Sequence, residues 1–108
     1  MKTEAYKACI DACNACALAC DQCAVACLHE ADPKPMVRCI ANDMDCADLC
    51  RMAAALMARQ SAHAKALCSL CAKACDACAE ECGKHAMDHC KRCAEACRRC
   101  ADACRAMA

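Results

Sequence analysis

Nineteen of the 108 residues are cysteine, and most of them fall on ladders that step alternately by three and four. The first ladder is Cys9, Cys13, Cys16, Cys20, Cys23 and Cys27; the second is Cys68, Cys71, Cys75, Cys78 and Cys82; the third is Cys90, Cys93, Cys97, Cys100 and Cys104. Steps of three and four return a side chain to one helix face, so each ladder is a line of thiols where a bundle would normally carry Leu and Ile. One buried thiol is an ordinary small hydrophobe. Nineteen on shared stripes are not explained by packing, because Leu would bury more apolar area at every rung. The pattern therefore points to metal binding or redox chemistry.

Thiolates with Met and His nearby select Cu(I), zinc or iron–sulfur clusters. Iron–sulfur clusters want spacings such as CxxCxxC followed by Pro, which are absent here. Zinc favours closed four-ligand sites presented by loops or knuckles, and one straight helix cannot wrap four sulfurs round an ion. Cu(I) suits a ladder, with two sulfurs from a CxxxC pair and a third from a neighbouring helix. Charge gives the same answer. An uncompensated buried thiolate costs several kcal/mol, and one monovalent ion cancels one thiolate. Neutrality then implies a capacity on the order of 15 to 20 Cu(I) ions per chain, against about half as many zinc ions. A zinc or general thiol-rich metal buffer is the alternative within this class. A thiol redox enzyme is the alternative from another class, but it calls for a low-pKa thiol at a helix N-terminus in a strand-helix fold. Cys90 is the one approximate match, and no strand is predicted.

The length supports a single domain, residues 1–108. The apolar fraction of 61% is mostly Ala and Cys, with no Phe or Trp. Such a core buries little area per residue, so the metal-free chain leans on Ala-rich helix propensity and on metal bound inside. Fourteen basic and fourteen acidic residues give a formal net charge of zero, which excludes an electrostatic footprint for nucleic acid. The N-terminal residues run into the first ladder without an apolar signal core, and no stretch reaches the roughly 20 uninterrupted apolar residues of a membrane span. These features predict a cytoplasmic protein. In that reducing compartment the thiols stay free, and neighbouring rungs about 5 to 6 Å apart at Cβ exceed the roughly 3.5 to 4.5 Å that a disulfide needs.

The elements that must hold the ladders are four helices. The first is predicted from Thr3, as an N-cap, to Glu30, ending at Asp32-Pro33-Lys34-Pro35. The second runs from Met36 to Arg59 with Met36, Cys39, Asp43, Cys46, Cys50, Ala53 and Met57 facing inward. After Gln60, Ser61 is a candidate cap for a third helix from Ala62 to Cys82, with Gly83 as its stop. The fourth runs from His85 or Ala86 to Met107. Short connections specify an all-α, antiparallel up-down-up-down four-helix bundle with a cysteine-lined core.

Antiparallel order gathers His29, Met36, His85, Met87 and His89 at one end, a ligand-rich mouth. The other end collects Ile10, Leu56, Met57, Leu67, Leu70 and Met107 as an apolar plug, with His63 facing solvent. Candidate metal ligands are all nineteen cysteines, including Cys39, Cys46 and Cys50 of the second helix, with His85, His89 and Met36 at the mouth. Asp43 is expected to accept an S–H hydrogen bond. Met44 and Met52 fall off the stripe and are read as packing.

The CxxxC series of the first helix, the CAxxCxxC run of the third, Glu81-Cys82-Gly83-Lys84-His85, and Asp88-His89-Cys90 leading into CxxCAxxCxxCAxxC are together similar to one known family. Across essentially its whole length the chain resembles the cytosolic, cysteine-rich four-helix-bundle copper storage proteins. The resemblance implies a binding protein and not an enzyme. It implies many Cu(I) ions held mainly by cysteine pairs, copper admitted at the His and Met end, and a homotetramer. The expected partners are copper ions and a copper chaperone or chelator that delivers them.

Overall fold

The computed structural model describes residues 3–107, except for the side chains of Thr3 and Ala5. Four helices follow in order: α1, Thr3–Leu28; α2, Val37–Ala58; α3, Ala64–Gly83; and α4, Asp88–Met107. None has an interior Pro, and Ala recurs throughout, so local propensity and the thiol stripe agree. Each helix packs along two neighbours, α1 on α2 and α4, and α3 on α2 and α4. The result is the expected antiparallel bundle, a prism of 49 × 17 × 17 Å. The Thr3 cap lies outside the described side chains.

Helix ends differ from expectation by a turn or less. α1 stops at Leu28, after which His29 and Glu30 form a tight turn through Glu30 N–H to Cys27 C=O at 3.2 Å. A single 3-10 turn, Lys34–Met36, then leads into α2; Pro35 fits there because a first turn has no use for its missing N–H. α4 starts at Asp88, whose carboxylate complements the positive helix end.

The stop between α2 and α3 falls at Gln60, in the expected break, but is made by a left-handed residue that is not glycine. Gln60 has φ of 53°, with its N–H donating to Met57 C=O and Ser61 N–H donating to Leu56 C=O. That is a Schellman arrangement with a left-handed residue that is usually Gly. Ser61 does not cap α3 in the expected way; its hydroxyl accepts from His63 N–H at 3.0 Å, one turn early. Gly83 is also not the left-handed stop. It is the last residue of α3 with ordinary φ, and a Cβ there would come within 3.3 Å of the Arg98 guanidinium on α4.

By length and composition Tyr6–Leu28 is apolar enough to cross a bilayer. Its thiols nevertheless face the bundle axis, leaving Leu18, Val25 and Leu28 exposed on the outer side. Met44 and Met52 are exposed as well, so they do not pack within this chain as expected, and Leu70 lies outside the plug.

Gln60→Gly should raise apo stability, since a left-handed non-Gly residue costs about 1 kcal/mol. Urea denaturation followed by circular dichroism should show the midpoint moving upward without a change of slope.

Candidate metal centre

All nineteen thiols are free and buried, none more than 1% exposed. The helical period supplies the rungs along each helix: Cys16–Cys20, Cys23–Cys27, Cys46–Cys50, Cys71–Cys75 and Cys78–Cys82 each place their sulfurs 3.9 Å apart. Packing supplies equal or shorter separations across helices. Cys16 Sγ lies 3.5 Å from Cys97, Cys46 lies 3.5 Å from Cys75, Cys50 lies 3.6 Å from Cys71, and Cys39 lies 3.3 Å from Cys82. At the lower end Cys104 is 3.7 Å from Cys13 and 3.8 Å from Cys9. The sulfurs thus form a three-dimensional net around one axis.

These spacings are those of a coordination polyhedron. Metal–sulfur bonds near 2.3 Å give sulfur–sulfur edges of about 3.8 Å in a tetrahedron and about 4.0 Å in a triangle. Several sets of four sulfurs lie within 4.8 Å of one another, among them Cys16, Cys46, Cys50 and Cys75, and Cys20, Cys78, Cys93 and Cys97. One helix cannot wrap an ion, but three or four helices together can. Four-sulfur geometry is therefore available, contrary to the expectation drawn from single helices.

The thiols share protons. Burial pushes Cys68 and Cys90 up to about 11 and raises Cys27 further. Deeper in the net, hydrogen bonding with Cys16, Cys100 and Cys20 holds Cys46, Cys71 and Cys93, respectively, below their usual range. Cys97 and Cys50 move the other way, chiefly through Cys16 and Cys100.

Asp43 stands on the α2 ladder between Cys39 and Cys46 and is fully buried. Its Oδ1 accepts from Cys78 at 3.1 Å, Cys93 at 3.2 Å and Cys82 at 3.4 Å, and its Oδ2 faces Cys39 at 3.9 Å. The expected S–H hydrogen bonding is present, fourfold. Burial, aided by Cys93 and offset by the Cys78 hydrogen bond, pushes this carboxyl up to about 8.

At the mouth the structure sorts the candidates. His89 points Nδ1 into the thiols, 3.5 Å from Cys23 and Cys90 and 4.0 Å from Cys27, while its Nε2 lies 3.1 Å from Glu30 Oε2. Nε2 of His85 lies 3.0 Å from Glu81 Oε2. Met36 is buried beneath them, and Met87 packs against the core. His29 is exposed and turns Nδ1 to Val25 C=O at 2.9 Å, so it does not face the thiols as the mouth assignment assumed. At the opposite end Tyr6 and Met57 are buried, with Ile10, Leu56, Leu67 and Met107 half-buried around them, and His63 is exposed. From the sequence alone Glu81 belongs to a motif and Glu30 to a helix end, with neither carboxylate assigned to a histidine. Glu81 and His85 are four apart on one helical surface, a readable signal; Glu30 and His89 meet only through the fold.

A family profile described as "Copper storage protein" matches residues 2–108. The chain belongs to the copper storage protein family. That family is non-enzymatic. The chain is similar to the structure of Cu(I)-bound copper storage protein BsCsp3 from Bacillus subtilis, at 46% identity and TM-score 0.93 over 96% of this chain and 98% of that one. A cytosolic copper storage protein from Streptomyces lividans, solved during copper loading with five coppers, matches at 43% identity and TM-score 0.94 over 98% of this chain and 93% of that one. A curated relative, the uncharacterized cysteine-rich protein YhjQ of Bacillus subtilis strain 168, is 47% identical over 66 residues, 61% of this chain and 61% of its own length. This chain thus shares its fold with solved copper storage proteins over nearly its whole length.

Asp43 gives the metal-free bundle a definite pH response. Its ordinary value is 3.8 and its folded value about 8, so between those limits the unfolded chain releases a proton that the folded chain keeps. Apo stability from this group must therefore fall as pH rises through the window. The groups facing it are Cys23 on α1, Cys39 on α2, Cys78 and Cys82 on α3, and Cys93 on α4. Thermal melts of the reduced apo protein at pH 4.5 and 7.5 should show a drop in Tm that Asp43→Asn largely removes.

Proposed function

We propose that this chain stores Cu(I) in the cytoplasm, sequestering many ions on core thiolates and admitting them at the His85/His89 end. The observation that carries this reading is the net of nineteen buried free thiols, with neighbouring sulfurs at metal-polyhedron edge lengths along and across the helices. Storage needs a dense set of equivalent soft ligands, and burial keeps the bound ions away from water and oxidants. Charge favours a monovalent cargo. Each Cu(I) that replaces a thiol proton leaves the low-dielectric core as neutral as before, whereas a divalent ion must displace two. The polarity of the bundle supports admission at one end. Imidazole nitrogen directed at Cys23, Cys27 and Cys90 offers a first resting place that passes an ion to sulfur, while the far end is closed by Tyr6, Met57 and apolar side chains.

A homotetramer is the proposed assembly, with the α1/α2 surface as its interface. Of the seven large apolar side chains exposed among the described residues, Leu18, Val25, Leu28, Val37, Met44 and Met52 belong to α1 and α2, and only Leu70 lies elsewhere. The Arg51–Asp21 ion pair joins these two helices across their outer face, on the stripes that carry Leu18, Val25 and Leu28 and Val37 and Met44. The outer face of α4 is instead crowded with charge, including Lys91, Arg92, Glu95, Arg99 and Arg105. A second copy is the natural cover for an apolar patch of this extent.

Anaerobic Cu(I) titration against a competing chelator should saturate on the order of 15 to 20 ions per chain, one per thiol by neutrality. Replacing Cys16, Cys46, Cys75 and Cys97 with Ala should lower that endpoint while leaving the helical spectrum intact; saturation at about half the thiol count with zinc preferred over copper would replace copper storage with a zinc buffer. For the assembly, light scattering should find a tetramer in the native chain and a smaller species in the double variant Leu18→Glu, Met44→Glu.

A further inference from the structure

His89 is held from both sides. Nδ1 lies among Cys23, Cys27 and Cys90, and Nε2 lies against Glu30 Oε2 at 3.1 Å. A carboxylate only accepts hydrogen bonds, so the hydrogen of this contact belongs to Nε2. A neutral imidazole has one N–H, and placing it on Nε2 leaves Nδ1 with a lone pair aimed into the three thiols.

We infer that Glu30 is a positioning residue that locks His89 in the Nε2–H tautomer and so makes Nδ1 a directed metal ligand at the mouth. Both parts of the lock come from the fold. Glu30 sits in the turn after α1, and His89 sits in the first turn of α4, 59 residues away in sequence. Among the described residues, the side-chain partner of the Glu30 carboxylate is His89, while the Glu81 carboxylate beside His85 is shared with Lys84 at 3.6 Å. Glu30 is therefore committed to one ring. Without it, His89 can carry its proton on Nδ1, where no lone pair remains for a metal, or can turn the ring away from the sulfurs. Carboxylate partners of ligating histidines act in this manner, and losing one typically slows or weakens metal capture by about ten-fold or more.

The geometry stands on the apo structure, and its consequence for copper uptake rests on the mouth proposed above. The test separates the two. Long-range proton–nitrogen NMR of 15N-histidine-labelled, reduced apo protein reads the tautomer directly. The native chain should show His89 protonated at Nε2 and bare at Nδ1. Glu30→Gln, whose carbonyl oxygen still accepts, should keep that pattern. Glu30→Ala, and Glu30→Ser, which is too short to reach the ring, should populate the Nδ1–H form. Initial Cu(I) transfer from a chelator should then slow about ten-fold in the Ala and Ser variants and recover in the Gln variant. An unchanged His89 tautomer in both loss variants overturns the inference. A shifted tautomer with unchanged transfer sustains the role of Glu30 and overturns the mouth.

Discussion

Everything in this bundle depends on how closely four helices can approach. Buried alanines recur at heptad spacing on each helix: Ala17 and Ala24 on α1, Ala47 and Ala54 on α2, Ala72 and Ala79 on α3, and Ala94 and Ala101 on α4. Helix separation follows the size of the side chains at the contact, and methyl groups permit the short end of that range. Only at such a separation do sulfurs from different helices come as near as those on successive turns of one helix. Larger seam residues would leave four independent rows of thiols in place of a net. The same economy of side-chain size leaves the metal-free core thin in apolar area, and helix propensity carries more of the stability than in a Leu-rich bundle.

A core built this way has to manage protons as carefully as volume. Thiols are weak donors and acceptors, and the net satisfies them mutually. The carboxyl of Asp43 fits among them because it takes up S–H donors from three helices and is held largely protonated near neutrality. An ionised carboxylate at that depth would be a charge without a cation. At the mouth, where water is near, Glu30 and Glu81 pair with histidines instead. The chain thus grades its acids from neutral in the interior to imidazole-bound carboxylates at the rim.

The part of this design that is periodic was open to reading from the sequence. Steps of three and four place every cysteine inside, put Asp43 on the same line, and orient the helices so that His85, His89 and Met36 share one end. The parts that escaped are set by single backbone or side-chain choices. Gln60 adopts the left-handed turn that composition assigns to Gly83, because hydrogen-bonded geometry at the end of α2 decides the stop and not residue type alone. His29 lies near the mouth in sequence order, yet in the turn after α1 its ring folds back onto the Val25 carbonyl. Met44 and Met52 look like packing residues from their apolarity, and only the position of their neighbours shows them to be outside. Glu30 and His89 are invisible as a pair until α1 and α4 are laid side by side.

Adjacent four-sulfur groups overlap by two members. The set Cys16, Cys46, Cys50 and Cys75 shares Cys16 and Cys46 with the set Cys16, Cys20, Cys46 and Cys97, which in turn shares Cys20 and Cys97 with Cys20, Cys78, Cys93 and Cys97. Under the proposed storage role, an ion passed between these three central groups would release two sulfurs while two others hold it. That stretch of the interior is a connected lattice of sulfurs and not a row of separate compartments.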